Sequence, residues 1–375
     1  MKLIYIANTR MPTEMAHGLQ IMKTCEAFAK KGIDIELIVP MRFSISKIGK
    51  DDPFKYYQIK NKFKIKKIFC LDLTPLNKFL GPVSFLTQAL TFSFFSFIYL
   101  LFKKTKYIYG RDRISLLFIK YIKPTIFEIH KIHKFLTKRT AKKARKIIAI
   151  TQGLKNDLLK KNIEENKILV APDGIDIEDF QIKKTKEEAR EKLNLPQDKN
   201  LIMYTGHLYK WKGVESLALA SKYLKKEDLI IFVGGIKWYL KNFKNFVKTN
   251  NLKNILILGH QDYSKIPYYL RAADCLILTG TRKSKVSKKY TSPIKLFEYM
   301  TAKKPIIASN LPSFKEILNQ ENATFTEPDN PMDIAKKIKQ ILNNKELSQK
   351  LSEKAYNDAK QHTWDNRADK ILKFI

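Results

Sequence analysis

The chain has 375 residues, 44% hydrophobic and 11% aromatic, which excludes global disorder and supplies apolar mass for two domain cores. Its 71 basic and 36 acidic residues leave a formal charge of +35, spread along the chain. Such a charge bears on partners (anionic membrane, nucleic acid) or reflects lysine on every tolerant surface; it does not bear on fold. Three scattered cysteines, Cys25, Cys70 and Cys275, argue against a disulfide framework and a cysteine-based zinc site and fit a reducing compartment.

In chain order, MKLIYIANTR opens with a strand at 2–8 that is too short for a signal-peptide apolar region, so a cytoplasmic chain is expected. Residues 17–31 have the spacing of an amphipathic helix closed by Gly32, and 33–40 read as the next strand. The run from Phe79 to Phe102 holds 24 residues without a charge. At ~1.5 Å per residue it is long enough to cross a bilayer. Its Ser84, Thr87, Gln88, Thr91, Ser93 and Ser96 favour instead a helix buried in an α/β core, with an element lying on a membrane surface as the alternative. Strands follow at 106–111, 125–130 and 146–151, and the segment 168–176 ends on a glycine turn.

A second series begins near residue 200. Strands at 200–208, 229–235, 254–260, 274–280 and 305–310 alternate with helices at 213–225, 237–250, 264–272 and 331–342, and a further helix fills 346–361. Strands alternating with helices predict parallel sheets covered on both faces. The expectation is two doubly wound α/β domains, 1–178 and 179–358, then a terminal helix in 359–375. The Pro-, Asp- and Lys-rich stretch at 171–199 reads as the linker.

Ligands of such sheets sit beyond the carboxyl ends of the strands, so the residues there carry the functional reading. In GHLYKWKGVE (206–215), Gly206 allows close backbone approach to a ligand. Lys212 and Gly213 open a helix, where peptide N–H groups and the dipole favour an anion. An ordinary strand-to-helix turn in a lysine-rich chain is the alternative. In YTSPIKLFEYM (290–300), Ser292 suits an N-cap and Pro293 the first helical position. The amides around Ile294, Lys295 and Leu296 then offer a second anion site, and Glu298 places a carboxylate one turn deeper. That carboxylate either accepts from two vicinal ribose hydroxyls or pairs with a lysine on the helix face.

In the first half, His130 ends the strand TIFEIH. With His133 and Glu128 it makes only a weak metal motif. Arg111 and Arg113 end another strand and suit an acidic acceptor or donor phosphates, or a salt bridge with Asp112 or Glu128. His17 and Gly18 lie in the first loop.

The set GHLYKWKG, LGHQDYSKIPYYLRAADCLIL (258–278) and SPIKLFEYMTAKKPIIASNLPSFKEIL (292–318) resembles the donor-binding half of glycosyltransferase family four. MPTEMAHGLQIMKTCEAFAKKG (11–32), TQGLKNDLLKKNIEENKILVAPDGIDIEDF (151–180) and TWDNRADKIL (363–372) resemble that family's first helix, end-of-domain segment and last helix. The resemblance implies a GT-B fold: two Rossmann-like doubly wound domains facing a central cleft, the C-terminal helix crossing back to the first. It also implies retaining transfer from a nucleotide-diphosphate sugar, with no metal or other cofactor.

Residue by residue, the resemblance places Lys212 on the donor diphosphate with Gly206, His207, Pro293, Ile294, Lys295 and Leu296. It places Glu298 on the ribose, His260 and Tyr263 near the base, and His130 toward the transferred sugar. His17, Gly18, Arg111 and Arg113 become acceptor or phosphate contacts. His207 stands where the family often has an arginine, and Tyr290 replaces the first glutamate of its glutamate pair. The expected partners are a nucleotide-sugar donor, a glycan or lipid-linked acceptor and an anionic membrane surface. The site would then lie at the cytoplasmic face of the cell membrane, in envelope polysaccharide or glycoconjugate synthesis. An epimerase acting on the donor alone is the second enzyme reading. Nucleic acid is not expected as a partner, because no basic helix, zinc finger or RNA-binding signature accompanies the charge.

Overall fold

The computed structural model describes residues 1–43, 47–133 and 136–375. They form two compact units, Met1–Pro172 with Trp364–Ile375, and Asp173–Thr363. Both are α/β units on parallel sheets.

Among the described residues the first unit carries seven parallel strands: β1 (Lys2–Ile6), β2 (Asp34–Pro40), β3 (Lys64–Ile68), β4 (Tyr107–Gly110), β5 (Thr125–Ile129), β6 (Lys146–Ala149) and β7 (Ile168–Val170). Their order is β3-β2-β1-β4-β5-β6-β7. The central strands are buried along their whole length because helices cover both faces. The sequence reading lacks β3, KIKKI. Its lysines are exposed on an edge strand, which hides the apolar alternation and blocks edge-to-edge pairing.

The second unit carries β8 (Asn200–Thr205), β9 (Asp228–Val233), β10 (Ile255–Gly259), β11 (Cys275–Leu278), β12 (Ile306–Ser309) and β13 (Thr324–Thr326), in the order β10-β9-β8-β11-β12-β13. Successive residues of a strand point to opposite faces. Leu201 and Met203 of β8 therefore enter the core with Leu276, Phe297 and Met300, while Ile202 and Tyr204 enter the opposite core with Phe232 and Ile338.

The division between the units falls at Pro172/Asp173 and Thr363/Trp364, not at the expected 178/179 and 358/359. Ile175 already belongs to the second unit, where its N–H donates to His362 O at 3.0 Å and its side chain lies in the core with Phe180. The Trp364–Phe374 helix packs on the Ala16–Lys30 helix, with Lys31 Nζ 2.7 Å from Asp369 Oδ2.

The expected linker is largely structured. Thr185 caps the Lys186–Lys192 helix in a reciprocal box with Glu188, and buried Arg190 of that helix meets Asp274 at 2.6 Å.

The apolar run forms one helix, Pro82–Leu101, but not the buried core helix that the sequence favours. Its inward residues include Ser84, Gln88, Ser93 and Ser96, whereas Val83, Leu86, Leu90 and Phe94 are exposed. Three of these polar side chains meet partners on the inner side: Ser84 Oγ donates to Gly81 O at 2.8 Å, Gln88 Nε2 donates to Asn8 Oδ1 at 2.9 Å, and Ser93 Oγ shares a hydrogen bond with Ser115 Oγ.

Candidate active site

In the second unit, the elements beyond the carboxyl end of β8 hold a cluster of charged groups. The chain leaves β8 at Thr205 and passes Gly206 to a short turn of helix, Lys210–Lys212. Gly213 then takes a left-handed conformation (φ +69°), and a Cβ there would stand 2.8 Å from Gly280 O. Thr279 Oγ1 donates to Lys212 O at 2.7 Å, so the backbone that carries Lys212 is fixed on both sides. Gly213→Ala is expected to cost about 2–4 kcal/mol, from the disfavoured φ and the backbone clash together. A shift in the urea midpoint measures it, and an unchanged midpoint contradicts this account.

The Ile294–Thr301 helix is buried along its whole length and delivers Lys295 and Glu298. Glu298 Oε1 accepts from Tyr263 OH at 3.1 Å. Burial pushes the Glu298 carboxyl up to about 7, against the pull of Tyr263, Lys295 and Lys212. Lys212 is half-buried, and burial pushes its ammonium down to about 8 while Glu298 holds it up. Lys295 is driven well below the usual lysine range, first by burial and then by the charge of Lys212.

Several of the expected placements change at this site. Ser292 does not cap the helix: its Oγ accepts from Asp173 N at 3.1 Å, and Pro293 is the residue before the first turn. The Leu296 amide closes that turn on Pro293 O at 2.8 Å, which removes it from the expected anion site. Lys295 does not stand open to a ligand. Its Nζ donates to Thr205 O at 2.9 Å and lies 3.4 Å from the centroid of the Tyr204 ring. It braces the end of β8 next to Gly206, whose missing Cβ would come 3.9 Å from that Nζ. Tyr263, expected near a base, donates the hydrogen bond that orients Glu298. His260 is exposed at the end of β10.

His207 sits in an aromatic group that the sequence reading does not identify. Its ring lies 5.1 Å from that of Tyr209, which stacks on Trp211 and meets Tyr239 edge-on at 4.5 Å. The Lys212 ammonium is 5.3 Å from the Trp211 ring. The spacing of Tyr209 and Trp211 is the one signal of this group in the sequence, because Tyr239 comes from the Lys237–Thr249 helix.

In the first unit, a separate buried network surrounds Glu128 of β5. It accepts from Gln20 Nε2 at 2.6 Å, from Arg367 at 2.8 Å and from the Tyr109 hydroxyl. Burial by itself would raise the Glu128 carboxyl; the Arg367 guanidinium and His130 outweigh it and hold the group well below the usual range. Glu128 is therefore an anion, and His130 Nε2, 2.6 Å away, must donate to it. Burial, with Arg111 adding to it, pushes His130 down to about 4 although Glu128 pulls it up. His130 is thus a neutral imidazole at pH 7 that presents Nδ1 as an acceptor. It does not supply positive charge.

Arg111 donates to Gln20 Oε1 at 2.9 Å and so joins the network. The salt bridges weighed for Arg111 and Arg113 are not made as such. Arg367 takes Glu128, and Asp112 Oδ2 accepts from Ser115 N at 2.9 Å as the cap of its helix. Arg113 is half-buried. His17 and Gly18 lie in the first turn of the Ala16–Lys30 helix, not in the loop before it, and His17 Nε2 is 2.7 Å from Thr9 Oγ1. Gly18 answers to packing, because a Cβ there would strike the Tyr57 hydroxyl, which is bonded to both Thr13 N and Thr13 O. His133 is exposed, and among the described residues no group of three or more His, Cys, Asp or Glu is placed to hold a metal ion. Arg367 and Gln20 are functional candidates that sequence reasoning does not find.

Residues 185–358 match the family model for glycosyl transferases group 1. Over 221 residues the chain is 28% identical to an uncharacterized glycosyltransferase of Methanocaldococcus jannaschii, covering 59% of this chain and 56% of that one. Over 202 residues it is 24% identical to the putative teichuronic acid biosynthesis glycosyltransferase TuaC of Bacillus subtilis, covering 54% and 48%. The chain thus spans about half the length of these curated relatives. The crystal structure of Anabaena HepE in complex with UDP and glucose superimposes with a TM-score of 0.78 at 16% identity, covering 100% of this chain and 98% of that one, and shares the fold.

Proposed function

We propose that this chain is a retaining glycosyltransferase that moves a sugar from a nucleotide-diphosphate donor to a hydroxyl of a glycan or lipid-linked glycan. The setting is cell-envelope polysaccharide or glycoconjugate synthesis at the cytoplasmic face of the membrane. The observation that carries this reading is the placement of Lys212, Glu298 and Tyr263 around the end of β8, inside the segment that matches the group 1 glycosyl transferases.

The task of such an enzyme is to stabilise a departing diphosphate. The Lys212 ammonium and the amides of Ile294 and Lys295 supply positive potential where that charge develops. Glu298 accepts from the ribose hydroxyls, with Tyr263 holding the carboxylate in place. The leaving phosphate takes the acceptor proton on the same face as it departs, so that no separate carboxylate base is required. His130, neutral, accepts from a sugar hydroxyl through Nδ1. No metal or other cofactor enters this scheme.

The two shifted groups predict a pH profile. Glu298 must be ionised to accept from ribose, so donor kcat/KM falls as pH drops through about 7. Lys212 must be protonated to meet the diphosphate, so kcat/KM also falls as pH rises through about 8. Lys212→Arg keeps the cation at all accessible pH and removes the alkaline limb. A panel of UDP-, GDP- and ADP-sugars, read by thermal shift, identifies the donor, because a ligand of the folded state alone raises the melting temperature. No shift with any of them, in a folded protein, overturns the reading.

A further inference from the structure

We propose that the outer face of the Pro82–Leu101 helix is a docking surface for an anionic bilayer, with the helix lying in the membrane plane. This deepens the membrane-side location proposed above by naming the surface that makes the contact. The helix is amphipathic in reverse. Its polar residues face the protein, while Val83, Leu86, Leu90, Phe94, Ile98 and Leu101 follow one another at spacings of three or four and are exposed, Phe94 to 54%. A helix at an aqueous surface turns its polar side outward. This one is ordered for an apolar medium outside. The stripe continues onto the neighbouring segment, where the exposed Phe69 ring meets Phe95 edge-on at 5.2 Å. An apolar face of this extent marks an interaction surface.

Charge decides the occupant. Between Pro53 and Arg111 the chain has ten lysines, and Asp72 is the only acidic residue. Exposed Lys64, Lys66 and Lys67 lie on edge strand β3, which packs against the helix, and Lys103 and Lys104 follow its C-terminus. Lys66 and Lys103 both place their ammonium groups over Tyr99, at 6.0 and 4.6 Å from its ring. An apolar stripe bordered by lysines and an aromatic ring matches the layered chemistry of a bilayer surface, acyl chains under anionic headgroups. Gln88 and Ser93 are bonded to Asn8 and Ser115, so the helix is held along the unit and does not cross the bilayer.

The test is flotation of the full chain with vesicles of phosphatidylcholine containing about 30% phosphatidylglycerol. Wild type floats, and binding weakens as salt rises. The variant L86Q/L90Q/F94S keeps its far-UV spectrum and loses about tenfold or more in partitioning. K66E/K104E weakens binding to the anionic vesicles but not to pure phosphatidylcholine. The inference is overturned if wild type stays in the protein fraction, if the triple variant floats as wild type does, or if sedimentation equilibrium finds a dimer that the triple variant dissolves. Because no donor is present in this assay, its failure leaves the glycosyltransferase reading standing, and failure of the donor panel leaves this one standing.

Discussion

Lys212→Ala is expected to lower kcat/KM for the donor by about a hundredfold to a thousandfold, the usual effect of removing one group aimed at developing negative charge. In the proposed reaction the charge on the leaving diphosphate grows as the glycosidic bond stretches, so more of the loss falls on kcat than on KM. The fold should survive. The backbone at this position is held by Thr279 and by the left-handed turn at Gly213, neither of which involves the lysine side chain. Removing a half-buried cation that burial already destabilises leaves thermal stability equal or higher. Lys212→Arg retains part of the activity. Steady-state kinetics with the donor found in the nucleotide-sugar panel measure all of this, and a variant within threefold of wild type removes Lys212 from the phosphate site.

Arg367→Met is expected to destabilise the first unit by about 3–5 kcal/mol, because it leaves a buried carboxylate without its guanidinium. Arg367 also donates to Pro172 O at 2.9 Å, and that contact ties the last helix to the end of the first unit's sheet region. The sign of the pH effect follows from the two states of Glu128. In wild type its folded pKa lies below the unfolded value, so it stabilises the fold above the unfolded pKa and loses that contribution as pH falls. Without Arg367, burial raises the same group, and the folded variant takes up a proton. The gap between wild type and variant therefore narrows as pH falls from 7 toward 5. Glu128→Gln in the Arg367→Met background recovers much of the loss by removing the orphaned charge. Urea titrations of the four proteins at both pH values form the cycle, and a single-variant loss below about 1 kcal/mol refutes the account.

The two substitutions mark the border between what is legible in the chain and what is not. Lys212 is legible as a candidate because its setting is local: a strand, a glycine, a turn and a helix start lie within ten residues, and the chemistry of a helix start follows from peptide geometry alone. Glu298 is legible as a carboxylate inside an apolar helical run. Its partner is not, since Tyr263 is brought to it by another loop at 3.1 Å. Lys295 misleads for the same reason. As a helix-start lysine it reads as an anion contact, and only the packing of β8 beneath it shows that Thr205 and Tyr204 take its ammonium. Arg367 carries no signal, being one arginine in a helix 239 positions from the glutamate it meets.

Sequence alone determined the alternation of strands and helices, and with it two parallel α/β units, because side-chain periodicity and glycine placement act over a few residues. It also located the segments beyond the strand ends that carry Lys212, Glu298 and His130. Tertiary structure decided what sequence spacing cannot encode: which face of the Pro82–Leu101 helix looks outward, which carboxylates are held as anions, and which lysine is braced and which stands ready. Those outcomes depend on desolvation and on partners distant in the chain, and both exist only once the chain has folded.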